Sequence, residues 1–579
     1  VLLNLKMGVQ MPRPTRRFAL VAAVLVFAAA QVLLYLCRGP STAGDTGAAA
    51  GHPLIIHHSP PPLVADSGRH WGLFNALFPA PKPSKCRELP VPDVYWQAAD
   101  AFTPAFVHIP NADGIQIGQT VCVRVVVPAP AERTSITYTP LVGQPWDSVL
   151  LDMVGRATNI SVPVALRPIA DYRNTIRDST HVYEADVLLR DVDTFAPRGF
   201  IEFRDARWNP ETGLTPAAYD PESIFIDDTL AVQVGDADGT SPFSLQRHLD
   251  LPLCTAPDAE GRWISAESLP FDAAELPPAD HHNMVWLPYA CRLRRISYSD
   301  AVECMTARYP LQHWYGDSNI RRTLKKLVTL GQWCTSEEDL QTRPCLCEDY
   351  SESNFTRFNA GYRELMIDVT SEGGKALTAP PPDYRVVPDK TARIYLHKWE
   401  GLTYRNQPHW TTEFETGITQ RYGHPNIAVI SLTNWDAAFS SRVDFAVQME
   451  KLMDYMAREY TPYTKFIIRT GQYYCCRTDS SPGVPRSYTR LRNAYFNDYV
   501  NRSFRERFGS THRIAVWDVA GLTERLPFAT RKEAVDCPAN HARAEVVEIE
   551  NQVLFNAMCN IAQPSAGSPE ESPASSPIV

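Results

Sequence analysis

The residues best suited to covalent chemistry are a Gly-Asp-Ser triplet at positions 316–318. An apolar segment precedes the triplet and a helix-forming stretch follows it, so Ser318 is predicted at a strand-to-helix turn. Gly316 permits a close backbone approach there, and the N–H groups at the helix start can hold a developing oxyanion. The pattern therefore predicts a nucleophilic serine whose pocket includes Gly316 and Asp317.

A serine nucleophile needs a base, and the histidine predicted for this role is His541. It comes just before a predicted helix over residues 545–558. Asp536 is the first choice for the carboxylate that orients His541, and Asp518, at the end of the preceding predicted strand, is the second. Asn540 is an alternative helper beside the histidine.

The elements that would bring these residues together alternate between strands and helices. Apolar strands are predicted at residues 311–315, 392–396, 427–432, 465–469 and 514–518. A helix is predicted over residues 442–459, where apolar side chains recur at near-helical spacing and are expected to pack in the core. This order predicts an α/β domain over residues 251–561, with a parallel sheet flanked by helices and a site at the carboxyl ends of its strands.

The preceding part of the chain has a different pattern. Residues 93–240 contain short alternating segments rich in β-branched residues and separated by Pro, Asp and Gly, which predicts a β-sandwich. Residues 38–92 and 562–579 are rich in Pro, Gly, Ala and Ser, a composition typical of a stem and a disordered tail.

Three stretches resemble the opening of the PC-esterase superfamily: Gly-Arg-Trp at 261–263, Trp-Leu-Pro-Tyr-Ala-Cys-Arg-Leu at 286–293 and Trp-Tyr-Gly-Asp-Ser at 314–318. That superfamily includes the neurexophilin-and-PC-esterase (NXPE) proteins and the plant trichome-birefringence-like wall acetyltransferases. The resemblance implies an SGNH-hydrolase-like (GDSL-like) fold with a parallel sheet.

The β-rich part also carries a resemblance. Segments 183–187 and 199–203 are similar to the last strands of filamin-type and neurexophilin immunoglobulin-like domains. The order of sandwich and esterase domain is similar to that of NXPE proteins. The resemblance covers residues 95–560 and implies an immunoglobulin-like sandwich before the catalytic domain.

In that superfamily the serine acts with a C-terminal Asp-x-x-His pair and forms an acyl-serine intermediate. The resemblance thus implies Ser318 as nucleophile, His541 as base and Asp536 as the orienting acid. The chain departs from the family in one respect, because its spacing is Asp-x-x-x-x-His, two residues longer. The longer spacing bears on Asp536 more than on His541.

The resemblance also implies an oxyanion hole, to which SGNH enzymes contribute a glycine N–H and an asparagine side chain. Asn434 follows a buried predicted strand at the place of the family's third block. Gly471, with Gln472 beside it, matches a Thr-Gly pair of NXPE proteins and is expected to line the pocket. Ordinary strand-end turn chemistry is the alternative for both sites.

One strongly apolar run, residues 18–37, contains no charge. Its 20 residues, at about 1.5 Å each, would cross a hydrocarbon core of roughly 30 Å. Arginines at positions 13, 16 and 17 favour a cytosolic N-terminus over residues 1–17. The sequence therefore predicts a transmembrane signal anchor in a single-pass type II protein of the Golgi or secretory pathway, with a cleaved signal peptide as the alternative.

Cysteines and glycosylation sequons agree with that compartment. Twelve of the 13 cysteines follow the apolar run, which predicts disulfides. Cys254 with Cys291, and Cys537 with Cys559, are the expected bridges, although spacing alone does not settle connectivity. N-glycan acceptors are predicted at three sequons: Asn159, Asn354 and Asn501.

Charge and motifs narrow the classes of partner. The chain has 56 Lys and Arg against 65 Asp and Glu, a net charge of −9, which argues against nucleic-acid binding. No cofactor motif or metal-ligand spacing is recognised. The expected function is transfer of an acyl group, chiefly acetyl, from an unidentified donor to a glycan or polysaccharide hydroxyl. The alternatives are an acetylesterase with the same site and an inactive binding or adhesion ectodomain.

Overall fold

The computed structural model describes residues 85–96, 104–128, 147–169, 171, 180–203, 222–236, 245–272, 274, 276–280, 282–340, 345, 364–377, 383, 385–403, 417–440, 442–473, 490–524 and 541–560. All belong to one unit that contains Gly68–Val579. The apolar run, the stem before residue 85, the tail from residue 561, and the site candidates Asp536 and Asn540 lie outside the described residues. Within them, no helix is long and apolar enough to cross a bilayer.

The N-terminal part of this unit is built from short strands in two sheets. After helix α1 (Lys85–Glu88) and a 3-10 turn (Asp93–Trp96), its strands are β1 (Phe106–His108), β2 (Ile115–Gln116), β3 (Thr120–Val127), β4 (Ser148–Gly155), β5 (Ser161–Pro163), β6 (Arg167–Pro168), β7 (His181–Leu188), β8 (Asp193–Phe203), β9 (Glu222–Ser223) and β10 (Val232–Gly235). One sheet has the order β1-β3-β7-β6 and the other β2-β10-β8-β4-β5, with β9 beside β8. Alternate residues of β3, β4 and β7 point into one shared core.

A hairpin then joins this part to the rest of the unit. After a 3-10 turn (Leu245–Asp250), β11 (Gly261–Ser265) pairs antiparallel with β12 (Met284–Pro288). Because successive strand residues face opposite sides, Ile264 and Val285 enter the core of the two sheets. Trp263 and Trp286 enter the core of the following helices. The two parts are therefore packed through a shared element that the strand prediction missed.

The C-terminal part alternates strands and helices, as expected. Its elements are α2 (Tyr298–Arg308), β13 (Leu311–Gly316), α3 (Ser318–Val328), α4 (Glu337–Leu340), β14 (Glu364–Thr370), β15 (Gly373–Ala376), β16 (Ala392–Lys398), α5 (Ile418–Tyr422), β17 (Ile427–Ile430), α6 (Thr433–Phe439), α7 (Arg442–Glu459), β18 (Lys465–Arg469), α8 (Arg490–Phe508), β19 (Ile514–Trp517), α9 (Val519–Glu524) and α10 (Ala544–Cys559). The five predicted strands and both predicted helices are confirmed, with ends shifted by a few residues.

The seven strands form one sheet in the order β15-β14-β16-β13-β17-β18-β19. Strands β16, β13, β17, β18 and β19 run parallel, whereas β14 and β15 form an antiparallel edge that the sequence analysis did not predict. In chain order the parallel strands are arranged 2-1-3-4-5, so the order reverses between β13 and β17. Open α/β sheets bind ligands at such a switch point, at the carboxyl ends of the strands.

Helices cover both faces of this sheet. Ile427 and Val429 of β17 pack with α2, α3 and α10, while Ala428 and Ile430 pack with α5, α7 and α8. The apolar stripe predicted for α7 is buried as expected, at Phe445, Met449, Leu452, Met453 and Met456. The architecture is thus mixed α/β, with three layers in its C-terminal part.

The disulfides confirm one predicted pairing and correct the other. Cys254 is bonded to Cys291 as predicted. Cys559, however, is bonded to Cys304, 255 residues away in sequence, rather than to Cys537. Helices α2 and α10 pack against each other, and this brings the two cysteines together. Further disulfides join Cys86 to Cys122 and Cys334 to Cys345.

A buried carboxylate, Glu202, lies where the two parts meet. It is the second-last residue of β8 and accepts hydrogen bonds from the Ser148 hydroxyl at 2.8 Å, the Arg490 N–H at 3.2 Å and the Tyr473 hydroxyl at 3.4 Å. Burial raises the pKa of Glu202 from 4.5 to about 7, and hydrogen bonds and the Arg490 charge offset part of that rise.

Glu202→Gln is therefore expected to change how stability depends on pH. The folded protein keeps the Glu202 proton up to about pH 7, whereas the unfolded chain releases it near pH 4.5, so stability falls as pH rises across this window. Glutamine cannot titrate. The free energy of unfolding of the wild type, relative to Glu202→Gln, should fall by roughly 2–3 kcal/mol from pH 4.5 to 7, measured by urea unfolding.

An exposed glutamate provides the control. Glu303 lies on the surface of α2, and Glu303→Gln should leave the pH dependence unchanged. Equal pH dependence in Glu202→Gln and the wild type would show that Glu202 does not titrate in this window.

Candidate active site

The structure brings Ser318 and His541 into direct contact. The Ser318 Oγ and the His541 Nε2 are 2.6 Å apart, although the residues are 223 positions apart in sequence. Ser318 opens α3 at the carboxyl end of β13, and His541 lies three residues before α10. Both side chains are half-buried, so the pair is packed against the protein and still reachable from solvent. A serine and a histidine at hydrogen-bond distance have the geometry of a nucleophile and its base.

The turn that presents Ser318 is held by Asp317. Its carboxylate accepts hydrogen bonds from the Asn319 N–H at 2.9 Å and the Asn319 Nδ2 at 3.2 Å, and thereby caps α3. Burial raises the pKa of Asp317, while the Asn319 hydrogen bonds and the Arg469 charge oppose the rise. Asp317 is 4% exposed and holds the start of the helix.

The N–H of Ser318 lies at the first helical position. It has no hydrogen-bond partner among the described residues. The first N–H groups of a helix carry partial positive charge and point outward from its end. This N–H is therefore a suitable donor to an oxyanion formed beside Ser318.

Gly316 is required by a close approach between two strand ends. A Cβ on Gly316 would lie 2.9 Å from the Ser431 carbonyl oxygen and 3.1 Å from Ile320 Cγ1, and its φ is +157°. The switch point between β13 and β17 therefore has no room for a side chain at this position.

Asn434 and Gly471 also meet at this end of the sheet. Asn434 lies in the first turn of α6 and is 8% exposed. A side chain on Gly471 would overlap the Asn434 Oδ1 and the Thr433 hydroxyl. The two predicted residues are thus neighbours, held together because the ends of β17 and β18 are adjacent.

The polar groups of Gly471 and Gln472 are hydrogen-bonded within the fold. Its N–H donates to the Asn497 Oδ1 at 2.8 Å, and its carbonyl accepts from the Asn493 Nδ2 at 3.0 Å. Gln472 is 1% exposed and its amide donates to Glu550 in α10. Gly471 is a close-packed backbone position and Gln472 is a core residue.

The second choice of orienting acid, Asp518, lies elsewhere. Its Oδ1 accepts from the Gly521 N–H at 2.9 Å and from the Thr470 hydroxyl at 3.2 Å. Asp518 thus holds the first turn of α9 next to the end of β19. It does not contact His541.

A buried ion pair behind the site was missed by the sequence analysis. Arg469, the last residue of β18, donates through Nη2 to the Glu550 Oε2 at 2.9 Å, and both side chains are fully buried. The Trp517 indole packs on the guanidinium at 5.2 Å. A glutamate within the otherwise apolar face of α10 was the available sequence signal, because an ionised side chain in a core requires a partner.

The loop after β16 borders the site on its other side. The backbone N–H of Trp399 donates to the Gly316 carbonyl at 2.8 Å. The Asp436 carboxylate accepts from the Leu402 N–H at 2.7 Å and the Thr403 N–H at 3.0 Å, and burial raises its pKa to about 6. Asp436 thereby links this loop to α6, two residues after Asn434.

Two of the predicted glycosylation sites fall on described residues. Asn159 is exposed in the turn before β5, where an oligosaccharide can be attached. Asn501 lies within α8 and its Oδ1 is buried. Asn354 lies outside the described residues. Exposure therefore favours Asn159 over Asn501 as a glycan acceptor.

One group of potential metal ligands occurs in the described part of the chain: Cys86, Cys122 and Glu184. Its two cysteines form a disulfide, so their sulfurs are not thiolates that could bind a metal. No protein-family model matches the chain, and no curated protein matches it.

Proposed function

We propose that this chain is a serine-dependent O-acyltransferase that moves an acyl group, chiefly acetyl, to a hydroxyl of a glycan or polysaccharide. The observation that carries the proposal is the 2.6 Å contact between Ser318 Oγ and His541 Nε2 at the carboxyl end of β13, the central strand of the seven-stranded sheet. A helix N-terminus beside the serine adds a donor for the oxyanion.

The chemistry follows from these groups. The Ser318 Oγ attacks the carbonyl carbon of the acyl donor while His541 Nε2 takes the hydroxyl proton, and the Ser318 N–H donates to the oxyanion. The leaving group departs with that proton and an acyl-serine ester remains. A sugar hydroxyl then attacks the ester, its proton passes to His541, and Ser318 recovers a proton as the acylated sugar leaves. Water in place of the sugar makes the same site an acetylesterase.

We also propose an SGNH-hydrolase-like fold for the C-terminal part. The 2-1-3-4-5 strand order with helices on both faces supports it. We propose an immunoglobulin-like sandwich for the N-terminal part, supported by two sheets around one core. Together with the Gly-Asp-Ser triplet and the C-terminal histidine, these features favour membership of the PC-esterase superfamily with an NXPE-like arrangement.

The proposed location is the lumen of the Golgi or another secretory compartment. Disulfides at four positions and the exposed sequon at Asn159 support an oxidising, glycosylating environment. Residues 18–37 would be the membrane anchor, and the acceptor glycan would reach the site from the lumenal side.

Intact-mass measurement of the purified full chain after incubation with 4-nitrophenyl acetate tests the proposal. The wild type should gain one acetyl group that Ser318→Ala does not gain. Added glycans that speed loss of the adduct and become acetylated would identify transfer, whereas loss to water alone would identify an esterase. Equal ester turnover in both proteins, with no adduct, would favour the inactive binding ectodomain.

A further inference from the structure

Helices α3 and α10 lie side by side and begin at the same end of the sheet. Lys326 of α3 forms an ion pair with Glu548 of α10 at 3.3 Å, and the Thr323 carbonyl accepts from the Asn551 Nδ2 at 3.3 Å. Ser318 starts the first helix, and His541 comes just before the second. His541 and Ala542 lie before the N-cap residue Arg543, whose carbonyl accepts the first hydrogen bond of α10, so contacts from outside this helix hold the histidine.

Arg322 provides such a contact. It lies one turn after Ser318 on α3 and its side chain is fully buried. The Arg322 Nη2 donates to the Ala542 carbonyl at 2.8 Å, next to His541, and to the Cys345 carbonyl at 3.0 Å. A buried guanidinium that joins two carbonyls ties the nucleophile helix directly to the histidine segment.

The disulfide between Cys334 and Cys345 also packs against the segment that follows His541. Cys334 and Cys345 are bonded, and together with Trp333 they pack against Ala544 in one small cluster. The Trp333 ring lies 5.0 Å from the Arg322 guanidinium carbon. The residues after His541 are thus held by a hydrogen bond at Ala542 and by apolar packing at Ala544.

We infer that Arg322 is a positioning residue that, together with the Cys334–Cys345 disulfide, keeps the His541 Nε2 at the Ser318 Oγ. The activity readout of this inference rests on the proposed function. Proton transfer depends steeply on geometry, and a shift of about 1 Å costs up to roughly 100-fold in rate. Both bonds come from the one Nη2, and a lysine at position 322 keeps the charge but replaces this rigid planar group with a compact ammonium on a flexible stem.

The chain contains a matched control for Arg322→Lys. Arg124 in β3 is also buried, and its Nη2 donates to the carbonyls of Cys86 at 2.9 Å and Leu89 at 2.6 Å. Cys86, like Cys345, is a disulfide cysteine. Arg124→Lys therefore disturbs an equivalent arrangement in the sandwich part, without contact to Ser318 or His541.

The experiment measures 4-nitrophenyl acetate turnover by the full chain carrying either substitution. Arg322→Lys should lower kcat by roughly 10- to 100-fold with KM nearly unchanged, whereas Arg124→Lys should keep both values. The double substitution Cys334→Ser and Cys345→Ser should lower kcat in the same direction, while Cys86→Ser with Cys122→Ser should not. Equal kcat in Arg322→Lys and Arg124→Lys overturns the inference.

Hydrogen exchange separates this inference from the proposed function. In a Ser318→Ala background, Arg322→Lys should speed backbone exchange over residues 541–545 by about 10-fold or more, and Arg124→Lys should leave it unchanged. If the wild type shows no Ser318-dependent acetylation, the proposed function fails and the exchange result still tests the positioning. If exchange over 541–545 is unchanged in Arg322→Lys, the positioning fails whatever the activity.

Discussion

Replacing His541 with alanine is expected to slow acetylation of Ser318 by roughly 10²- to 10⁴-fold, the range contributed by a positioned general base. The Ser318 hydroxyl is a weak nucleophile unless its proton is removed as the new bond forms. His541 Nε2, at 2.6 Å from Ser318 Oγ, is placed to accept that proton. The measurement is the rate of 4-nitrophenol release from 4-nitrophenyl acetate under single-turnover conditions.

An exposed histidine at the other end of the sheet is the control. His424 precedes β17, at the amino end of the parallel strands, and His424→Ala should keep the wild-type rate. His541→Ala should also keep the wild-type thermal unfolding midpoint within a few degrees, since the side chain is only half-buried. A His541→Ala rate within about twofold of wild type would show that another group acts as the base.

The largest effect on stability is expected from Glu550→Gln. Arg469 and Glu550 are both fully buried and lie 2.9 Å apart. Removing one charge of such a pair leaves the other uncompensated in a medium of low polarity, which costs about 3–5 kcal/mol. The Gln472 amide also donates to Glu550, so the substitution disturbs a second buried group. Urea unfolding followed by tryptophan fluorescence would report the loss, because Trp517 packs on Arg469.

An exposed ion pair and a double substitution complete this test. Arg507 and Asp454 lie 2.7 Å apart with side chains 49% and 60% exposed, and Asp454→Asn should cost less than about 1 kcal/mol. Arg469→Met combined with Glu550→Met should recover most of the stability, because no unpaired charge then remains. A loss below about 1 kcal/mol for Glu550→Gln would show that Arg469 finds another partner.

Local patterns in the sequence were sufficient to predict much of the secondary structure of the C-terminal part. The strands β13, β16, β17, β18 and β19, and helix α7, follow from apolar periodicity, which reports how each segment meets a core. Ser318 and His541 could be paired for a chemical reason, since a serine nucleophile needs a base. Their contact at 2.6 Å agrees with that reasoning.

Hydrogen bonds between residues far apart in sequence could not be predicted from such local patterns. Gly471 was expected to line the pocket, yet its N–H donates to the Asn497 Oδ1 of α8. Gln472 was expected in the pocket, yet Glu550 of α10 accepts from it within the core. In both cases the partner lies 26 or more residues away in sequence, so no local pattern identifies it.

Sequence alone was enough for the alternation of strands and helices and for the pairing of Ser318 with His541, because periodicity and reaction chemistry are properties of individual segments and residue types. The strand order with its switch point between β13 and β17, the Cys304–Cys559 bond and the Arg322 contact beside His541 emerged from the packing of the whole chain. The physical reason is that these features depend on which surfaces are buried together, and burial is a property of the assembled fold.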